Sequence, residues 1–424
     1  MFKIWLNIVV SFVASLVWIS ANGQENAFKI TAQYRVRPEF RHGYKTLSSD
    51  TSKVAFFIAQ RARLVFDYKN KNIKVYMSVQ DIRTWGDEEQ LKDNPGLSVN
   101  ELWAELFLKN NFSLKIGRQE LVYDDQRLLG NADWNNATRS HDALLLKYTN
   151  KTSKVYWHTG AAFNQNGEPL FGTKYTVNNY KFLAFSWFKK EFTNSSVSAT
   201  TIVNGLNSTV TASEKMKASF TFGPLYNYQD KNLKATLGAY YQTGKTENNL
   251  RLSAYMLNSY VGFQNKNLFA GVGLDYLSGS SATTSVDHSQ SFSTLYATNH
   301  KFYGFMDYFI NIPADTRQRG LIDPYLHIGI ATFKDFKTTL DVHQFYLANE
   351  NNNGINTIRK SLGNEFDLAM EYQPSAIINL QAGYSMMMAT RNMELLKGGN
   401  KNNYNGWAFI MLKLSPTFLN HEIK

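Results

Sequence analysis

The feature that most constrains this chain is a rhythm in its polar residues. Clusters of Asn, Lys, Asp and Ser recur between segments of about ten to fourteen residues that alternate apolar and polar side chains. Lys69-Asn70-Lys71-Asn72 separates 54–68 from 73–83, and Lys109-Asn110-Asn111 separates 98–108 from 112–121. Further clusters fall at 150–153, 191–194, 229–232, 264–267, 334–335 and 373–376. These residue types accept turn dihedrals and satisfy nearby backbone groups, so each cluster predicts a tight reversal. The other ends of the same segments carry longer polar stretches, at 41–53, 84–96, 123–140, 165–178, 278–320, 349–360 and 391–403. Two shorter ones, 207–214 and 244–249, occupy the same places in the order. A soluble sandwich has no reason to sort its connections by length. A barrel standing in a membrane has short turns on one side and long loops on the other. The rhythm therefore predicts an all-β chain, a transmembrane antiparallel β-barrel of about 18 strands with both ends on the short-turn side. Residues 301–310 are apolar enough for one more strand but are assigned to the large seventh loop.

The alternation within segments supports this fold. Leu64, Phe66 and Tyr68 fall on one face, and Arg61, Arg63 and Asp67 on the other. Leu102, Ala104, Leu106 and Leu108 oppose Glu101, Trp103 and Glu105. A period of two gives one face to lipid and one to a polar lumen. Closure of the sheet satisfies every backbone N–H and C=O in hydrocarbon. Tyr68, Tyr123, Tyr148, Trp187, Tyr228, Tyr260, Tyr276 and Tyr372 lie near segment ends and are expected in the two interfacial girdles.

Met1-Phe2-Lys3 followed by an apolar run and Ser20-Ala21-Asn22-Gly23 has the form of an export signal, expected to end near Gly23 and leave the barrel in 24–424. After it no apolar run reaches the roughly 18 residues of a spanning helix. The 424 residues include no Cys, which excludes a disulfide scaffold, a thiolate metal site and a thiol enzyme. Aromatic residues make up 14%, a load suited to a wall that meets lipid and water.

Lys and Arg number 45 against 34 Asp and Glu, a formal charge of +11. Arg35 and Arg37 share one face of a segment, and Arg61 and Arg63 repeat the spacing on the next. Like charges set opposite each other destabilise a sheet. The four guanidinium groups therefore need counter-charges, such as Glu39, Asp67, Glu101 and Glu105, or a use in pairing with carboxylates. A basic wall in a low-dielectric tube concentrates anions and sets anion preference.

Residues 116–142 read IGRQELVYDDQRLLGNADWNNATRSHD. The groups Gly117-Arg118-Gln119, Tyr123-Asp124-Asp125, Arg127-Leu128-Leu129-Gly130 and Asp133-Trp134 in this block resemble the signature of the alginate export family of outer-membrane barrels. His300-Lys301-Phe302-Tyr303-Gly304-Phe305-Met306-Asp307-Tyr308 is a second similar stretch, and Tyr34-Arg35-Val36-Arg37-Pro38-Glu39 a weaker third. The resemblance implies an 18-stranded barrel in the bacterial outer membrane, an electropositive constriction and a periplasmic plug turn. It implies Arg35, Arg37, Arg61, Arg63, Arg118, Arg127 and Arg139 as substrate-binding residues that select an anionic saccharide or polyuronate. The chain departs from the usual barrel ending, because six residues follow Phe418.

Within 123–140 the reading leaves two alternatives: a salt-bridged loop, with Asp124, Asp125 and Asp133 on Arg118, Arg127 and Arg139, or a calcium site. The loop is expected to fold inward. The eight His are scattered, and no zinc-hydrolase, serine-hydrolase or phosphate-loop motif occurs. Asp341 and His343 share a face, whereas His141 and Asp142 do not. Met386-Met387-Met388 reads as a membrane strand with one Met inward. The expectation is a channel without catalytic residues, cofactor or metal. Its partners are outer-membrane lipid, an anionic saccharide and export or uptake proteins of the periplasm, with no nucleic acid, and the barrel is expected to be a monomer. The alternative is a general or nutrient-uptake porin.

Overall fold

The computed structural model describes residues 26–92, 96–172, 175, 179–207, 216–352 and 357–423. The expected export signal lies outside them. Eighteen strands form one closed sheet. The first nine are β1 (Asn26–His42), β2 (Ala55–Lys69), β3 (Ile73–Thr84), β4 (Leu97–Phe107), β5 (Phe112–Gln119), β6 (His141–Asn150), β7 (Val155–Phe163), β8 (Phe182–Glu191) and β9 (Ser195–Asn207). The others are β10 (Met216–Gln229), β11 (Leu233–Lys245), β12 (Arg251–Gln264), β13 (Leu268–Leu277), β14 (Leu321–Phe333), β15 (Phe336–Tyr346), β16 (Ser361–Tyr372), β17 (Ile378–Ala389) and β18 (Gly406–Leu414). Each strand pairs antiparallel with the next. β1 closes the barrel on β18, with Tyr34 opposite Leu414 and His42 opposite Gly406. Beyond Pro416 the chain resumes as Thr417–Ile423 along the start of β1, so the residues after Phe418 extend the last strand.

Every tight reversal expected from polar clusters is a turn between strands, two to five residues long. The plug turn implied by the family resemblance is therefore absent among the described residues. The outer face carries Leu102, Ile116, Leu144, Phe163, Leu237, Val272 and Ile410, all exposed, as a lipid-facing wall requires. No helix among the described residues is long and apolar enough to cross a membrane. Tyr372 projects outward, but Tyr123, Trp187 and Tyr260 do not join a girdle. Tyr123 packs inside against His158, Phe185 and Trp187, and Tyr260 lines a lumen cavity. Their strand-end position was shared with girdle residues, but the parity of their strands turns Trp187 and Tyr260 inward.

The apolar core sits within the barrel, in its long-loop half. Leu121, Leu128 and Leu129 of the third loop meet Phe292, Tyr303, Met306, Tyr308 and Phe309 of the seventh, all almost wholly buried. Burying each large apolar side chain contributes roughly 1.5–3 kcal/mol, so the lumen holds these loops as a small globular core would. Residues 301–310 belong to the seventh loop and form turns rather than a strand. A short helix, α1 (Arg391–Lys397), was not expected. Its cap, Thr390 Oγ1, accepts from the Met393 N–H at 3.3 Å.

Candidate functional site

Two loops build a constriction. The third loop leaves β5 after Gln119; two residues earlier Gly117, with φ +125°, brings the backbone so close that a Cβ would sit 2.3 Å from the Leu102 carbonyl oxygen. It then turns into the lumen. Arg35 and Arg61 stand directly opposite each other on β1 and β2. Their repulsion is relieved by the loop. Arg35 donates to the carbonyl of Asp133 at 2.7 Å, to that of Asn135 at 3.1 Å and to Asn136 Oδ1 at 2.6 Å. Arg61 donates to Asp133 Oδ1 at 3.0 Å and to the Asn136 carbonyl at 3.2 Å. Arg37 donates to Glu39 and to the Trp134 carbonyl, both at 2.8 Å, and lies 4.0 Å over the Trp134 ring. Arg63 holds Gln80 Oε1 at 2.6 Å and Thr138 Oγ1 at 3.2 Å. Arg35, Arg37 and Arg61 are only 3%, 4% and 1% exposed. The wall arginines are thus brought together as the sequence suggested, but they clasp a loop.

The other arginines divide. Arg127 is buried between Asp125 and Asp275 and lies 4.0 Å over the Phe302 ring. Arg139 donates to the carbonyls of Gly130 and Ala297 at 3.0 Å, and to that of Tyr296, tying the third loop to the seventh. Burial pulls its guanidinium below the usual arginine range. Arg118 is on the outer face, 45% exposed, and meets Asp142 at 3.4 Å on β6. The parity that turns Gln119 inward turns Arg118 outward, so it does not face the lumen.

The loop carboxylates go to separate partners. Asp124 accepts from Trp187 Nε1 at 2.9 Å, Asp125 pairs with Arg127, and Asp133 with Arg35 and Arg61. Among the described residues no group of three or more His, Asp or Glu is placed to hold a metal. Burial raises the Asp124 carboxyl above its ordinary range.

The seventh loop is held across the lumen. Asp367 and Glu365 on β16 accept from the N–H groups of Phe305 at 3.1 Å and Met306 at 2.7 Å. The turn depends on Gly304, with φ +79°, where a Cβ would lie 2.5 Å from Glu365 Oε1. His300 is stacked between Trp134 and Phe305, at 4.5 and 5.4 Å, and its Nδ1 meets Asp307 at 2.6 Å. Asp341 and His343 do not pair with each other. Asp341 pairs with His327, and His343 with Asp323.

A cavity of about 730 Å³ lies between these loops and the short-turn end. A second, of about 220 Å³, lies on the long-loop side. Thr298 and His300 line the first, Ala297 and Asn299 the second, so one thickness of chain separates them.

The family model for alginate export matches residues 26–390. The chain belongs to the alginate export family. No curated protein matches it. Among solved structures, OccAB4 of Acinetobacter baumannii has a TM-score of 0.60 at 14% identity, over 93% of this chain and 98% of that one. OpdK of Pseudomonas aeruginosa, determined with vanillate, has a TM-score of 0.60 at 9% identity, over 92% of this chain and 99% of that one. At such identities the likeness is one of fold. This alginate export family member is an outer-membrane, porin-like channel and not an enzyme. Reading the sequence missed the lumen lysines Lys234 and Lys337. For Lys337, strand parity counted back from Asp341 was the signal that would have found it.

Proposed function

We propose that this channel conducts an anionic saccharide of the polyuronate class, passively, through a basic lumen. Family membership carries this reading, and the exposed lysines that line the larger cavity support it. Arg35, Arg37, Arg61, Arg63, Arg127 and Arg139 act by holding the two loops in the lumen, which fixes the width of the path. Arg118 acts at the outer rim, beside anionic head groups. The barrel works as a monomer, with direction set by gradients or periplasmic partners.

A second reading, a porin for small nutrients, is favoured by the loops themselves. They divide the lumen into cavities of about 730 and 220 Å³, better suited to small solutes than to a polymer. The OpdK structure with vanillate is consistent with it. Reversal potential in a salt gradient across a planar bilayer, followed by titration with oligouronates, tests both. Anion selectivity with concentration-dependent block is the expected result. Block by small carboxylates but not by oligouronates would favour the second reading. Cation selectivity would overturn both.

A further inference from the structure

The cations that face open water in the lumen are lysines. Lys234 on β11, Lys337 on β15 and Lys301 on the seventh loop all line the larger cavity, and all are exposed although they face inward. The carboxylates around them are engaged elsewhere. Asp125 holds Arg127, Asp133 holds Arg35 and Arg61, and Asp341 holds His327. Glu371 accepts from the Asn379 and Gln381 amides at 2.7 and 3.2 Å. Among the described residues, no carboxylate oxygen approaches these three ammonium groups within 4.0 Å, although Glu371 stands directly opposite Lys337 across β15 and β16. Lys301 donates to the Asp125 carbonyl at 3.2 Å and lies 5.4 Å from the Phe302 ring centre, and Lys337 lies 5.6 Å from the Phe269 ring centre. The three ammonium groups therefore face the cavity without a direct ion pair, while Glu371 and Asp341 in the same lining lower its net charge.

We infer that this lysine tier, and not the arginine wall, reads the charge of the substrate, each ammonium meeting a carboxylate of the passing anion. The inference rests on the proposed anionic substrate. A clasped arginine would have to abandon backbone carbonyls to meet a passing anion. An exposed lysine is a hydrated point charge on a flexible stem. It offers the weak, repeated contact that conduction needs, because an ion held tightly does not leave. Phe302, Phe305 and Tyr325 share the cavity and keep its wall apolar between the charges, which focuses their field.

The test uses the full barrel in planar bilayers, with oligouronate as the probe. Lys234→Gln with Lys337→Gln removes two exposed charges that make no direct ion pair. Heat-modifiable gel mobility and unchanged conductance in concentrated salt check that the variant is folded. It should lose roughly half or more of the anion-directed reversal potential. The blocking concentration should rise about tenfold. Lys234→Arg with Lys337→Arg should restore both. If the wild type is anion-selective and blocked while the glutamine variant matches it, the lysine assignment is overturned and the proposed function stands. If the wild type shows neither selectivity nor block, the proposed function fails, and this inference with it.

Discussion

The wall of β1 and β2 and the floor formed by β11, β15 and the seventh loop are both basic, yet they do opposite work. On the wall, guanidinium groups are buried and their terminal nitrogens meet acceptors: three backbone carbonyls from 133–136 for Arg35, the Trp134 carbonyl for Arg37. On the floor, ammonium groups are exposed and open. The chemistry of the two side chains explains the division. A planar fork with five donors can satisfy several carbonyls at once in a dry place. An ammonium left in such a place would carry a desolvation cost with nothing to offset it. Counting positive residues on a lumen face therefore does not locate the groups that meet the substrate. Their partners do.

The largest expected effect breaks the wall. Replacing Arg35 and Arg61 with Ala removes the clasp on 133–136, and each lost charged hydrogen bond weakens the anchor by about 1.5–3 kcal/mol. The third loop should leave the lumen, raising single-channel conductance roughly twofold or more, since pore width then follows the barrel wall. The floor is untouched, so anion preference should survive. Lost preference with unchanged conductance would reverse the roles assigned to the two regions. A smaller effect comes from Gly304→Ala. Its φ of +79° and the 2.5 Å approach to Glu365 Oε1 both oppose a Cβ. The seventh loop should shift off the Glu365 and Asp367 carboxylates, seen as flickering current and earlier proteolysis within 299–316. Steady current and unchanged cleavage would mean that the packing of Tyr303, Met306 and Tyr308 holds the loop without that turn.

The strands and turns were legible because their causes are local: side-chain period and turn chemistry. The clasp was not, because Arg35 meets a backbone carbonyl 98 residues away, and a carbonyl has no sequence signature. The loop core was half legible. Phe302, Tyr303, Phe305, Met306, Tyr308 and Phe309 make too apolar a run to remain in water; the run is apolar enough for a further strand and is assigned to the seventh loop, with no stated home. The lumen is that home. Helix α1 escaped notice because seven residues are too few to show a period. For Arg118, family position suggested the lumen while strand parity pointed outward, and parity prevailed.

The smallest expected effect sharpens the comparison where the third loop meets β8 and β9 rather than the wall of β1 and β2. Asp124 is the loop carboxylate that no arginine holds; it accepts from Trp187 Nε1 at 2.9 Å and Thr200 Oγ1 at 3.4 Å. Burial raises its pKa above the ordinary 3.8, so the folded loop favours the neutral acid. The stabilisation is fully present below the ordinary value and is lost as pH rises through the raised one. Near neutral pH the ionised carboxylate should therefore loosen this corner slightly, and acidification should quiet the current. Asp124→Asn keeps an acceptor for the indole and removes the charge, so its current at neutral pH should already be as quiet as that of the acidified wild type, and the response to acid should disappear. A variant that keeps the acid response would show that it does not arise at Asp124.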